Sequence, residues 1–275
     1  MNIIILVLID DSKVSRKFKK VLLTNLCEYG HTYFLYGKTT KETDIPECME
    51  TMDTGDLNKE YNEPVEFKSE KYSDLYIGKQ ETFKNIIYKT VDTLQYLLDK
   101  GLVNEKTIVL RTNMSTLFDY QKFKKVLDNL SKTEAVNDLY AGPFIGGIGN
   151  VPMISGTAVL LGYNKILEII NNREKIDINT NEDVNLQMMI KFPFKTFNIP
   201  RIDYLDDTVL FHKCFKNTNT VFTFRFKSLN RETDTGRMEK LITAKFDTKT
   251  IDTSKHMEEL PMYGELFKEI MTIHV

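Results

Sequence analysis

Ile3-Ile4-Ile5-Leu6-Val7-Leu8-Ile9, stopping at Asp10-Asp11-Ser12, is the stretch that decides the fold. It is largely β-branched and carries no polar alternation, the pattern of a strand buried on both faces in a central parallel sheet. Seven apolar residues are too few to cross a bilayer, which needs about 20. A secretory leader would also need a basic start and a small-residue cleavage site, and neither is present. Read as the native start, this segment implies a soluble chain with no membrane anchor of its own. Residues 12–26 then read as a helix, capped by Asp11 or Ser12, with Val14, Phe18, Val21, Leu22 and Leu26 at helical spacing. Thr32-Tyr33-Phe34-Leu35-Tyr36 is a strand closed by Gly37. Strand, helix, strand is the opening of an α/β sheet.

The rest of the chain extends this pattern. Residues 38–66, with Pro46, Gly55 and Pro64, are polar and aperiodic and read as an irregular surface segment. A short strand is expected over 70–78. A helix is expected over 82–100, where Ile86, Ile87, Val91, Leu94, Leu97 and Leu98 form a stripe that ends at Gly101. Thr107-Ile108-Val109-Leu110 is a second buried strand. It runs into the polar Arg111-Thr112-Asn113-Met114-Ser115-Thr116, at the carboxyl end where open α/β sheets bind ligands. Further helices are expected over 118–130, 164–172 and 182–190, separated by a segment rich in glycine and small residues at 140–160 and a polar loop at 173–181. The tail, 193–275, is mixed, with a strand-like stretch at 221–226 and a last helix near 262–271.

There is no internal repeat. The 275 residues, 41% of them hydrophobic, suffice for a core without disulfide or metal support. A net charge of −2 excludes a strongly electropositive nucleic-acid binder. Cys27, Cys48 and Cys214 form no CxxC, which argues against a disulfide framework or a cysteine-rich zinc module and for a reducing compartment.

Several segments then fall into a known order. Glu70-Lys71-Tyr72-Ser73-Asp74-Leu75 precedes Phe83-Lys84-Asn85-Ile86-Ile87-Tyr88-Lys89-Thr90. The strand end Leu110-Arg111-Thr112-Asn113-Met114-Ser115 follows. Then come Val151-Pro152-Met153-Ile154-Ser155-Gly156-Thr157-Ala158-Val159-Leu160-Leu161, a helix, a loop and Glu182-Asp183-Val184. Over about residues 1–190 this order resembles the Fringe and β-1,3-galactosyltransferase group of GT-A glycosyltransferases. That group shows "N-(L/I)-x-x-K-T", "K-T-D-D-D" and "E-D-V" at these places. Phe224-Arg225-Phe226-Lys227-Ser228-Leu229-Asn230-Arg231 is similar to a run in glycosyltransferases of large DNA viruses and some bacteria.

The resemblance implies a GT-A-like, Rossmann-like α/β fold with a mixed, mostly parallel central sheet flanked by helices. It implies a transferase core over 1–190, and an extension over 191–275 packed on the same domain and completing the donor site. It further implies an inverting hexosyltransferase that moves a sugar from a UDP-sugar to a hydroxyl of a glycan or glycoprotein acceptor. The expected setting is the cytoplasm, that of the host if the source is viral.

By the same carry-over, Asp183 is the base that takes the acceptor proton and Glu182 a second carboxylate. Spacing alone favours the plainer reading of Asn181-Glu182-Asp183, an acidic pair complementing a helix N-terminus. The donor would be held by Lys89, Arg111, Thr112, Asn113, Ser115, Ser155, Gly156, Arg225, Lys227 and Arg231. Ser155-Gly156-Thr157 either admits the sugar close to the backbone or simply packs small residues. The family's acidic triplet, which binds Mn²⁺ or Mg²⁺ on the diphosphate, is here Asn113-Met114-Ser115. Hard divalent cations favour carboxylate oxygens. Asn113 and Ser115 offer only neutral ones, with His212 or His256 as a further ligand, so a metal is in doubt and cations could serve the leaving group instead. Gly146-Gly147-Ile148-Gly149 completes no phosphate-binding motif and reads as an acceptor-side loop. Arg16-Lys17-Lys19-Lys20 reads as a solvated helix face, with Arg16 a candidate near the nucleotide. The alternatives are a catalytically silent nucleotide-sugar binder and an α/β interaction module with no small-molecule site.

Overall fold

The computed structural model describes residues 1–38, 64–80, 82–132, 134–148, 151–191, 194–199, 201–205, 209–212, 221–247 and 257–260. The elements run β1 (Asn2–Leu8), α1 (Lys13–Asn25), β2 (His31–Lys38), β3 (Val65–Lys68), β4 (Tyr72–Gln80), α2 (Ile86–Asp99) and β5 (Thr107–Asn113). They continue with β6 (Thr116–Phe118), α3 (Tyr120–Leu130), β7 (Tyr140–Ala141), β8 (Phe144–Ile148), β9 (Val151–Ile154), β10 (Ala158–Leu161), α4 (Tyr163–Asn171) and α5 (Glu182–Met189). The remainder is β11 (Arg201–Tyr204), β12 (Val209–His212), β13 (Thr223–Phe226), α6 (Arg231–Thr243) and β14 (Met257–Leu260).

The central sheet has seven strands in the order β3-β4-β2-β1-β5-β10-β7. Strands β4, β2, β1 and β5 are mutually parallel, whereas β3 and β10 run the other way. β1 alternates between two cores, as a doubly covered strand must. Ile5, Val7 and Ile9 pack with Phe18 and Leu22 of α1 and Phe123 of α3. Ile4, Leu6 and Leu8 pack with Val91 and Leu94 of α2, Ile166 of α4 and Leu186 of α5. The fold is therefore mixed α/β, with a mostly parallel sheet between helical layers, as the apolar run of β1 requires.

Local signals account for the helix ends. Ser12 caps α1, its hydroxyl accepting from the Ser15 N–H at 3.2 Å. After α2 the chain turns at Gly101, whose φ of +67° favours glycine.

A second sheet, β14-β12-β11-β13-β6, lies largely in the tail. β13 pairs antiparallel with β6, with Arg225 opposite Thr116. The Phe226 N–H donates to the Ser115 carbonyl at 2.8 Å, and the Asp119 N–H to that of Phe222 at 2.8 Å. The tail thus lies alongside the segment that follows β5. Within β13 the side chains alternate: Phe224 and Phe226 are buried in the core with Ile5, while Arg225 between them and Lys227 beyond are not.

The structure departs from the sequence reading in several places. The glycine-rich 140–160 segment is built of short strands, and Phe144–Ile148 forms a hairpin with Val151–Ile154 instead of a loop. The end of the segment expected to be irregular, residues 65 and 66, belongs to a strand on the sheet edge, Val65–Lys68. α6 was not anticipated. Its apolar residues are few, and it docks on α1 through Met238 and Leu241. The helix expected near 262–271 lies outside the described residues. Among the described residues, no helix is long and apolar enough to cross a membrane.

Candidate functional site

β1 and β5 are parallel neighbours with Leu8 opposite Asn113, so both end at one edge of the sheet. β10 is antiparallel, and its first residue, Ala158, lies beside Thr112. The Ser155–Thr157 turn before β10 therefore arrives at the same edge. The N-terminus of α5, the first turn of α2 and the end of β13 close round it. Together they enclose a cavity of about 550 Å³.

Its floor is a buried ion pair. Arg111 is 2% exposed and Glu182 9% exposed. The Arg111 guanidinium pairs with the Glu182 carboxylate and donates to the Gly156 carbonyl. The Thr90 hydroxyl donates to the other Glu182 oxygen at 2.6 Å. Burial pulls the Arg111 pKa down, the Asp183 carboxylate opposes that, and nearby Arg225 adds to the lowering.

Asp183 is next in sequence but differs in setting. It is half-buried and lines the cavity. One carboxylate oxygen accepts the Gly156 N–H at 3.3 Å, and the other accepts the Val184 N–H at 3.0 Å. The two acidic residues at the start of α5 therefore separate: one balances a buried arginine, and the other faces open space.

The Ser155–Thr157 turn is held from behind. Arg201 of β11 donates to the hydroxyls of Ser155 and Thr157, each at 2.9 Å, and is itself held by Asp203 at 3.0 Å. The Ser155 hydroxyl thus serves the turn, although the residue lines the cavity. Lys89 on α2 donates to the Ile9 carbonyl at 2.7 Å and to that of Leu35 at 3.4 Å, joining the ends of two strands.

Of the residues singled out in the sequence, Lys89, Arg111, Asn113, Ser115, Ser155, Gly156, Glu182, Asp183, Arg225, Lys227 and Arg231 line this cavity. Thr112 does not. It is fully buried and its hydroxyl donates to the Thr157 carbonyl at 2.8 Å, a contact between strand end and turn. Arg231 opens α6, where it holds Asp234 at 2.8 Å and the Phe226 carbonyl at 3.0 Å and lies over the Phe18 ring. Arg16 donates to the Asp11 carbonyl at 3.3 Å.

Asn113 does not fit the expected role of metal ligand. The Asn113 carbonyl oxygen already accepts from the Ser115 N–H at 3.2 Å, the Ser115 hydroxyl at 3.0 Å and the Thr116 hydroxyl at 2.7 Å. An amide oxygen has two lone pairs, and three donors occupy them. The Ser115 hydroxyl donates to that oxygen and keeps only its own neutral lone pairs for a cation. His212 ends β12 in the second sheet; its side chain, like all of His256, lies outside what is described. Among the described residues, no three His, Cys, Asp or Glu side chains cluster as a metal site would require.

One charged residue that lines the cavity, Asp10, was missed. Asp10 follows β1 directly and accepts from the Ser12 N–H at 2.9 Å and the Ser15 hydroxyl at 2.5 Å. Burial pushes its pKa up, but these hydrogen bonds and the charge of Lys89 outweigh it, and the net shift is downward. Its position at the carboxyl end of the first buried strand was the available signal.

No protein-family model matches the sequence, and no curated protein matches it. One solved structure, a crystal structure of 4-diphosphocytidyl-2C-methyl-D-erythritol synthase, is similar at a TM-score of 0.39 and 8% identity, over 68% of this chain and 84% of that chain.

Proposed function

We propose that the cavity binds a nucleotide-sugar, in first instance a UDP-sugar, and that the protein transfers the sugar to a hydroxyl of a glycan acceptor with inversion. The observation that carries this reading is the division of labour between Glu182 and Asp183. Glu182 is engaged by Arg111 and Thr90. Asp183 faces the cavity, oriented by the Gly156 N–H. A carboxylate so held is suited to general-base work.

In the reaction, the acceptor oxygen attacks the anomeric carbon while its proton passes to Asp183. The bond from that carbon to the diphosphate oxygen breaks, and its electron pair leaves with the nucleoside diphosphate. The region after residue 190 completes the donor side through Arg225 and Lys227. The UDP identity of the donor, and the glycan nature of the acceptor, come from the sequence resemblance.

A panel of UDP-sugars assayed for release of UDP, with and without Mn²⁺, tests the proposal. Turnover of at least one donor is expected. Asp183→Asn should lower that turnover by about 100-fold or more, in keeping with loss of a general base, and leave UDP affinity unchanged. UDP binding without turnover of any donor would favour a silent nucleotide-sugar binder. No calorimetric heat with UDP, with or without Mn²⁺, would leave an interaction module as the reading.

A further inference from the structure

Among the described residues five cations line the cavity, and three are committed. Lys89 is bound to two strand carbonyls, Arg111 to Glu182 and Gly156, and Arg231 to Asp234 and Phe226. Arg225 and Lys227 differ. Among the described residues neither enters a salt bridge, which sets them apart; the Arg225 Nε, like that of Arg111, is buried without a hydrogen-bond partner, but no carboxylate is paired with the rest of its guanidinium. Two residues apart on an extended chain, they project to the same side, opposite to the buried Phe224 and Phe226. An arginine nitrogen withdrawn from water and left without an acceptor calls for an anion, because an unmade hydrogen bond to a charged group is costly. A planar guanidinium suits phosphate oxygens, and a lysine beside it adds a mobile point charge.

A second observation is independent of the first. The oxygen that would take the place of the metal-binding carboxylate, that of Asn113, is saturated by Ser115 and Thr116. The strand end that would present a cation to the diphosphate is closed into a turn. β13 is docked beside that same turn, with Arg225 opposite Thr116.

We infer that Arg225 and Lys227 form a diphosphate seat, so that the leaving group is held by side-chain charge without a bridging divalent cation. The inference relies on the proposed function for the nature of the ligand. When the bond to the anomeric carbon breaks, the departing diphosphate gains negative charge on its outer oxygen. Arg225 and Lys227 neutralise that charge where it develops.

Calorimetry on the full chain with inorganic pyrophosphate and with UDP, in EDTA and in Mn²⁺, tests this. Pyrophosphate should bind in EDTA with unchanged affinity in Mn²⁺. Arg225→Gln with Lys227→Gln should weaken it at least tenfold, while thermal unfolding shows the double variant folded. Single variants serve if the double variant does not fold. The idea is overturned if pyrophosphate binds only with Mn²⁺, if it does not bind at all, or if the folded variants bind like the wild type. Metal-free pyrophosphate binding without turnover of any UDP-sugar would retain the seat and sink the transferase. Turnover strictly dependent on Mn²⁺ would do the reverse.

Discussion

Arg111 and Arg225 sit on neighbouring walls of one cavity, each near the carboxyl end of a strand, yet they are put to opposite uses. Arg111 of β5 is buried and met by Glu182, which Thr90 also holds. Arg225 of β13 is half-exposed and has no salt-bridge partner among the described residues. A buried charge must be paired within the protein, and the pair becomes part of the architecture. A charge left at a cavity wall remains available to a ligand. Residue type and placement at a strand end are shared by the two; what distinguishes them is whether a carboxylate is built in opposite.

This contrast is open to direct attack. Glu182→Ala removes the carboxylate paired with buried Arg111, leaving it only the Gly156 carbonyl and the field of Asp183, and should cost about 3–5 kcal/mol of stability, read by denaturant unfolding. A loss below about 1 kcal/mol would mean that Arg111 is not the structural member of the two. Thr90→Val keeps the shape and removes one hydrogen bond to the Glu182 carboxylate. A loss of about 1.5–3 kcal/mol is expected, with no change in pyrophosphate affinity.

Asp10 supplies a test through pH. Its pKa is lowered in the folded protein from the ordinary 3.8. The stability it contributes is therefore fully present above that ordinary value and is lost as the pH falls through the lower folded one. Asp10→Asn should flatten the acid limb of the stability curve and leave the neutral region parallel to wild type. The smallest effect belongs to Arg225→Gln, which should change unfolding free energy by less than about 0.5 kcal/mol, as for a residue with no structural partner. A larger loss would show that Arg225 is structural after all and erase the contrast.

Much of the fold was legible from β1 outward. A strand with no polar alternation specified helices on both faces, and Ile4 and Ile5 do point into different cores. The helix stripes of α1 and α2 are continuous, and their ends carry ordinary signals at Ser12 and Gly101. α6 was not legible, because its 13 residues place few apolar side chains at helical spacing and Asp234 is buried within it. The strands at 140–160 were obscured by glycines that break the alternation of β8.

At the site, the resemblance pointed to positions that do converge on one cavity, but position did not reveal partnership. Asn113 looked like a ligand because only its neighbours in space, Ser115 and Thr116, show that its oxygen is taken. Thr112 looked equivalent to Arg111 until the ladder turned it toward Thr157. Glu182 and Asp183 were told apart only by the resemblance, and the engagement of Glu182 by Arg111 of β5 is a long-range pairing that adjacency in sequence does not reveal. Asp10 was read only as the end of a strand.

Gly156 carries no charge, yet a methyl group there would stand 3.1 Å from an Arg111 nitrogen and 3.6 Å from both the Asp183 Cβ and a Glu182 oxygen. Only the approach to the Arg111 nitrogen is tight; the other two are ordinary van der Waals distances. Its lack of a side chain lets the Arg111 guanidinium press against the turn that half-buried Asp183 also holds. An alanine at this point would alter the field inside the cavity while leaving the protein's net charge of −2 untouched. For this cavity the bulk of one backbone position is an electrostatic setting, and charge-scanning mutagenesis would pass over it.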